Sequence, residues 1–130
     1  MAINPTATGI HHIGLRSMNF ERTKNFYQDV LGFLLIIDTS DLLIFAGAGT
    51  YIAFKQADPR DKKFSSFSPF EVGPDHIAMT CEAEEALHRF AEGLADAGVK
   101  NTGLKADENL NKLYVDFKDP ERIAWEFYMK

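Results

Sequence analysis

Two histidines and one glutamate in the sequence have the chemistry of a metal site: His12, His76 and Glu126. Two imidazoles and one carboxylate form the facial set that binds Fe(II), and the same set suits Zn, Mn, Ni or Co. Three protein ligands leave coordination positions open for water and substrate, as Lewis-acid catalysis requires. We therefore expect these three residues to bind one divalent ion, whose identity the residue types leave open.

The alternation of side chains along a strand predicts that His12 and His76 face equivalent sides of their two sheets. Each of them directly precedes a short segment with apolar residues at alternate positions, and such residues face the same side of a strand. Ile13 and Leu15 mark the side of the first segment that faces its helix, so His12 faces the open side. The second segment repeats this pattern after His76. Both imidazoles are therefore predicted on an open, concave face.

The last strand carries the carboxylate on the corresponding face. Trp125, Phe127 and Met129 form the large apolar set of this strand, which leaves Glu126 on the opposite side. A charged residue between two aromatic residues in a terminal strand is typical of a ligand or of an acid in a pocket. All three candidate ligands are thus predicted to point into one pocket.

The elements that must position these residues occur twice in the chain, in the same order. Module 1 is predicted at about residues 9–56 and module 2 at about 73–130, with a linker at about 57–72. Each module reads as βαβββ, with its helix over one face of the sheet. Two such modules predict one α+β domain of 130 residues, with a curved mixed sheet around a concave metal or ligand pocket and helices on the outer face.

Capping and turn residues set the predicted element bounds. Asn19 is predicted to be the N-cap of the first helix and Gly32 its stop, and the second helix is predicted to end at Gly98. The later strands are predicted at Phe33–Ile37, Leu42–Ala46, Tyr51–Gln56, 99–105, Leu113–Phe117 and Ile123–Met129. The strand at 99–105 has the weakest pattern of these.

Composition and charge favour a small-molecule partner over a nucleic acid or a membrane. The sequence is 45% hydrophobic and 25% charged, the balance of a globular protein. Its formal charge is −5, and no run of Lys or Arg is longer than Lys62-Lys63. Cys81 is the single cysteine, which fits a reducing compartment, and neither a signal peptide nor a membrane span is indicated. We expect a cytoplasmic protein.

The sequence also resembles the vicinal oxygen chelate superfamily over nearly its whole length, from about Gly9 to Lys130. That superfamily contains glyoxalase I, methylmalonyl-CoA epimerase, extradiol dioxygenases, fosfomycin-resistance enzymes and the metal-free bleomycin-resistance proteins. The motifs that carry the resemblance are His12-Ile13-Gly14-Leu15, Asn19-Phe20-Glu21-Arg22, Phe26-Tyr27-Gln28-Asp29-Val30-Leu31-Gly32-Phe33, Gly73 to Met79, and Asp119-Pro120 through Glu126-Phe127.

Carried over residue by residue, the resemblance implies the same metal ligands, His12, His76 and Glu126. The family's optional fourth ligand falls on Ala53 by analogy with Glu126, and alanine cannot ligate. Glyoxalase I and the epimerase usually have Glu or Gln there, whereas extradiol dioxygenases and fosfomycin-resistance enzymes use three ligands. Fosfomycin-resistance enzymes usually have threonine where Gly14 stands, and typical extradiol dioxygenases are far longer, so the subfamily stays open.

The resemblance implies a metal-dependent enzyme that acts on a small oxygen-rich substrate, as a glyoxalase-like lyase or isomerase. The ion would chelate two substrate oxygens, with Glu126 as a ligand and a proton shuttle. Two alternatives stay open: an extradiol-type dioxygenase, and a metal-free drug-binding protein of the bleomycin-resistance type. A homodimer is expected, because association buries open sheet edges. The modules pair within one chain or across the dimer.

Overall fold

Each half of the chain forms a four-stranded mixed sheet of its own. The structure is a computed structural model and describes residues 3–4, 6–58 and 67–130. The first sheet contains β1 (His12–Ser17), β2 (Leu34–Asp38), β3 (Leu42–Gly47) and β4 (Thr50–Gln56) in the order β1-β4-β3-β2. The second contains β5 (Ile77–Cys81), β6 (Lys105–Asp107), β7 (Lys112–Lys118) and β8 (Ala124–Met129) in the order β5-β8-β7-β6.

The strand pairing is the same in both sheets. The first strand of each half pairs in parallel with the last strand of that half, and the other pairs are antiparallel. The predicted α+β fold of two βαβββ modules is therefore confirmed, with two sheets that do not close into a barrel.

One helix accompanies each sheet. Helix α1 is α-helical over Phe20–Lys24 and π-helical over Asn25–Val30, and helix α2 extends over Glu84–Asp96. Asn19 caps α1, because its side-chain oxygen accepts a hydrogen bond from Arg22 N at 3.0 Å. Gly32, with a φ of 72°, allows the chain to turn out of the helix. In the described ranges, neither helix has the length and apolarity that a membrane crossing needs.

The π-helical segment was not expected from the sequence. Its wider turns are closed by bonds such as Leu31 N to Phe26 O, at 3.0 Å. The adjacent rings of Phe26 and Tyr27 in this segment are both buried.

The two modules share one hydrophobic core between their helix-covered faces. Tyr27 of α1 contacts Phe45 and Phe54 of its own sheet. Its hydroxyl accepts a hydrogen bond from Trp125 Nε1 of β8 at 2.9 Å and donates one to Asp119 Oδ2 at 2.6 Å. Because the helix-covered faces meet in this core, the opposite faces of both sheets point outward.

One predicted strand is wrong over most of its length. Strand β6 begins only at Lys105, and the segment before it has a single isolated bridge, from Asn101 to Phe117. The Asn101 side chain donates to Val99 O and accepts from Gly103 N, and these local bonds compete with a strand ladder. Residues 59–66 of the predicted linker lie outside the described ranges.

Candidate metal centre

The three predicted ligands all lie on the open faces of the two sheets. In β1, His12 is exposed, whereas Ile13 packs against the core. In β8, Trp125 is fully buried on the helix side and Glu126 lies on the other face. His76 directly precedes β5 and is partly exposed. Local strand parity therefore orients each side chain as the period of two requires.

His76 and Glu126 meet on the open face of the second sheet. The distance from His76 Nε2 to Glu126 Oε2 is 2.9 Å. This contact lacks hydrogen-bond geometry, since Glu126 Oε2 is buried without a hydrogen-bond partner among the described residues. Two ligand atoms that bind one ion at right angles, each at about 2.1 Å, lie about 3 Å apart. The pair thus fits two adjacent ligands of a divalent ion.

Asp75 supports the histidine ring from its other side. Its Oδ1 lies 2.8 Å from His76 Nδ1. When Nδ1 carries the proton and donates to this carboxylate, Nε2 presents a lone pair on the side of Glu126. Asp75 could not be predicted from strand parity, because a neighbour in an extended segment is expected to face the opposite side.

Asp116 is a second acidic residue that sequence analysis missed. It pairs directly with Glu126 across β7 and β8. The alternation of apolar residues in β7 could have predicted its position. Val115 and Phe117 are buried on the helix side, which leaves Asp116 on the open face.

The surroundings of Glu126 disfavour its charge. Burial raises the pKa of the Glu126 carboxyl; the charge of His76 lowers this pKa, and the carboxylates of Asp116, Asp75 and Asp107 raise it. An isolated carboxylate in this position is costly. A cation bound between the acidic groups would offset the repulsion among them.

His12 is not brought to this pair within one chain. Its Nδ1 lies 2.9 Å from His11 Nδ1, on the sheet of the first module. Across the part of the chain that the structure describes, no three His, Cys, Asp or Glu side chains are grouped so that they could hold a metal ion. The modules meet through their helix-covered faces, so the open faces hold His12 apart from His76 and Glu126.

The strand registers place Ala53 in the first module where Glu126 stands in the second. Gly14, two residues after the histidine of β1, pairs with Ala53 across β1 and β4. Ala78, two residues after the histidine that precedes β5, pairs with Glu126 across β5 and β8. The first module therefore has no ligating side chain at the position equivalent to the glutamate.

A cavity of about 770 Å³ opens beside the histidine–glutamate pair. It includes His76, Asp116 and Glu126 and extends past the turn between β7 and β8 to residues 98–102. Its volume suits a small molecule.

The duplicated βαβββ fold, with a histidine–carboxylate pair beside a cavity, defines the class of two-module α+β proteins. The chain belongs to the glyoxalase/bleomycin resistance protein/dioxygenase superfamily, whose family model matches residues 9–127. Members of this superfamily commonly use a divalent metal ion, bind small-molecule substrates and often form dimers.

Individual relatives agree with this membership over nearly the whole chain. The chain is 28% identical over 127 residues to the uncharacterized protein YwkD of Bacillus subtilis (strain 168), with 92% of this chain and 94% of that protein covered. The lactoylglutathione lyase of Agrobacterium tumefaciens is 16% identical, with a TM-score of 0.74 and 95% of each chain covered. The fosfomycin resistance protein FosX of Listeria monocytogenes is 20% identical, with a TM-score of 0.74 and coverage of 96% of this chain and 95% of that chain. At these identities the two structures show a shared fold.

Proposed function

We propose that this protein is a metal-dependent enzyme that assembles its site between two copies of the chain. His76 and Glu126 of one copy and His12 of the other hold one divalent ion, which is Fe, Zn, Mn, Ni or Co. The observation that carries the proposal is the 2.9 Å contact of His76 Nε2 with the buried Glu126 Oε2, which lacks a hydrogen-bond partner in the described ranges.

Charge complementarity supports a face-to-face arrangement of two copies. The open face of the first sheet exposes Arg16 and Lys55, which pair with each other four residues along the strands from His12 and Tyr51. The open face of the second sheet carries Asp75 and Asp116 beside His76 and Glu126, with Lys112 and Lys118 at the two ends of β7. Opposite charges on two surfaces favour and orient their association. In a symmetric dimer each copy offers both faces, so two equal sites form.

Exposed apolar side chains support the same association. The edge strand β2 exposes Leu34, Ile36 and Ile37, at 67%, 45% and 39% of their surface. An edge strand with apolar side chains in water favours pairing or coverage by another chain. A second copy would provide this coverage while it brings its own His12 to the pair.

Each residue of the pair has a defined task in this arrangement. A bound divalent ion supplies Lewis-acid stabilisation of an oxyanion that develops on the substrate. Asp75 orients the His76 ring through its contact with Nδ1. Glu126 would be a ligand of the ion, and its carboxylate would be the group that moves a proton at the substrate.

The proposed reaction class is that of a lyase or isomerase acting on a small oxygen-rich substrate. The two structural neighbours named above, a lactoylglutathione lyase and a fosfomycin resistance protein, support an enzyme on this fold. An extradiol-type dioxygenase would use the same three ligands and is the second enzymatic candidate. A metal-free binding protein would have no use for a buried Glu126 in contact with His76.

Subunit complementation tests whether the site is shared. His12→Ala and Glu126→Gln chains are produced with two different affinity tags that do not bind metal, and the mixed dimer is isolated through both tags. In a shared arrangement the mixed dimer has one intact site, formed by His12 of the second chain with His76 and Glu126 of the first. We expect about one ion per mixed dimer by elemental analysis, two per wild-type dimer, and close to none in either variant homodimer.

His11→Ala provides the matched control, because His11 adjoins His12 and is not a proposed ligand. The His11→Ala dimer should retain two ions. A mixed dimer without metal, beside a metal-loaded wild type, would show that the sites are not shared. A wild-type protein that binds none of the five ions would contradict the enzyme proposal and favour the metal-free binding protein.

A further inference from the structure

Three cationic residues line the cavity away from the histidine–glutamate pair: Lys100, Lys118 and Arg122. They form what we call the cationic end of the cavity. The chain has a formal charge of −5, so this local excess of positive charge runs against its average. A cavity with the carboxylates of Asp75, Asp116 and Glu126 at one end and cations at the other is polarised along its length.

The cations of this end make no ion pair or side-chain hydrogen bond with any described residue. Several basic side chains elsewhere have such contacts, as in Lys105 with Asp116 at 3.8 Å and Arg22 with Glu121 at 2.9 Å. Lysine and arginine side chains without a partner in a cavity are suited to bind an oxyanion.

The backbone of Arg122 adds a second, independent observation. Arg122 has a φ of 69°, in the left-handed region that a non-glycine residue seldom adopts. The turn imposes this conformation, because Arg122 N donates to Asp119 O at 2.9 Å, and Asp119 Oδ1 accepts from Glu121 N and Ile123 N. Glycine would fit this turn with less strain. A strained residue on a rigid turn is typical of a functional position.

The cationic end lies within reach of a small molecule bound at the pair. Lys118 is two residues along β7 from Asp116 on the same face, which corresponds to roughly 7 Å between their Cα atoms. Arg122 lies in the turn that follows. A chain of a few carbon atoms spans this distance between oxygens at the pair and an anionic group at the turn.

We infer that the substrate carries a second oxyanion, a carboxylate or a phosphate, which Arg122 and Lys118 bind at the cationic end while its other oxygens lie at His76 and Glu126. This inference rests on the proposed function, because it assigns the substrate class of the same cavity. It excludes neutral substrates whose only oxygens are those at the pair.

The first test uses metal-free protein and inorganic phosphate, so it does not depend on metal binding. Phosphate is titrated into wild type, Arg122→Gly and the double variant Arg122→Gly/Lys118→Ala, and binding is followed by phosphorus NMR line broadening. We expect Arg122→Gly to weaken phosphate binding about tenfold and the double variant to abolish it. Arg89→Ala, which removes an exposed arginine of α2 outside the cavity, is the matched control and should bind as wild type does.

The second test uses cobalt(II)-loaded protein and two ligands of equal chain length. 2-Hydroxyglutarate and 2-hydroxyvalerate share the hydroxy-acid end and differ in a terminal carboxylate against a methyl group. We expect calorimetry to show about tenfold tighter binding of 2-hydroxyglutarate to wild type and to Arg89→Ala. In Arg122→Gly the two ligands should bind about equally, with no loss of thermal stability.

The outcomes separate the two proposals. Equal binding of both ligands by cobalt-loaded wild type, or equal losses in Arg122→Gly and Arg89→Ala, would overturn the inference and leave the metal proposal standing. A wild type that binds no cobalt would overturn the proposed function. The phosphate titration would then still show whether the cationic end binds an oxyanion. If Arg122→Gly bound phosphate as tightly as wild type does, oxyanion binding at the cationic end would be rejected.

Discussion

His76 Nε2 and Glu126 Oε2 lie 2.9 Å apart, yet they do not form a hydrogen bond, and the glutamate oxygen has no hydrogen-bond partner in the ranges described. When His76 Nδ1 carries the proton and donates to Asp75, the neutral imidazole presents a lone pair on the side of the carboxylate. Two acceptors in contact repel each other unless a proton or a cation lies between them. We therefore expect metal affinity and protein stability to change when either residue of the pair is replaced.

Glu126→Gln should separate metal binding from stability. We expect at least a tenfold weaker Kd for cobalt(II), because a neutral amide replaces an anionic ligand. Without metal, the free energy of unfolding should stay equal or rise by about 1 kcal/mol, since a buried carboxylate without a partner is removed. Calorimetric titration and urea unfolding measure the two effects, with the exposed Glu84→Gln as control. A less stable protein with unchanged metal affinity would make Glu126 a structural residue.

Asp75→Asn should weaken metal binding without direct loss of a ligand. The variant no longer holds the proton on His76 Nδ1 through a carboxylate, so its Nε2 is a weaker and less well-oriented ligand. We expect a tenfold to hundredfold weaker Kd for cobalt(II) by calorimetry, at unchanged thermal stability. Asp41→Asn, at an exposed position between β2 and β3, is the control. An effect of equal size in that variant would reject the orienting role of Asp75.

Ala53→Glu should add a ligand, because the registers make Ala53 the equivalent of Glu126 in the first module. We expect tighter cobalt(II) binding in the dimer, whereas Ala53→Gln should gain less because it adds no charge. Wild type should turn over the hemithioacetal of methylglyoxal and glutathione weakly or not at all. Ala53→Glu should turn over the same substrate faster than wild type. Robust wild-type turnover of this substrate would show that the missing carboxylate is not needed.

Tyr27→Phe should destabilise the junction of the modules by about 1–3 kcal/mol, because Asp119 Oδ2 and Trp125 Nε1 lose their shared partner. Burial raises the pKa of Tyr27 well above 10, and the Asp119 carboxylate raises it further. As pH rises through about 10, the unfolded tyrosine loses its proton while the folded one keeps it, so wild-type stability falls. The phenylalanine variant lacks this effect.

The stability gap between wild type and Tyr27→Phe should therefore be largest near neutral pH and should narrow above about pH 10. Urea unfolding at pH 7.5 and at a pH above 10 measures it. Tyr51→Phe, at an exposed position of β4, should change stability little at either pH. A gap that stays constant into the alkaline range would mean that the Tyr27 hydroxyl titrates normally.

Much of this molecule could be read from local patterns in the sequence. The two βαβββ modules follow from a repeated order of apolar alternation, helix and turns, and these patterns act over a few residues at a time. The same period of two orients His12 and Glu126, since a buried Ile13 or Trp125 leaves its neighbour on the other face. The register that equates Ala53 with Glu126 likewise repeats the internal symmetry of the chain.

The partners of these side chains follow from contacts between residues far apart in the sequence. Tyr27 bonds to Trp125 and Asp119, which lie 98 and 92 residues away, and this junction turns both open faces outward. Strand parity gives the face of a side chain but not the orientation of one sheet against another, so the separation of His12 from His76 could not be predicted. The position of Arg122 in the cavity beside His76 and Glu126 could not be predicted either. Arg122 lies in a turn, where the alternation of strand faces does not apply.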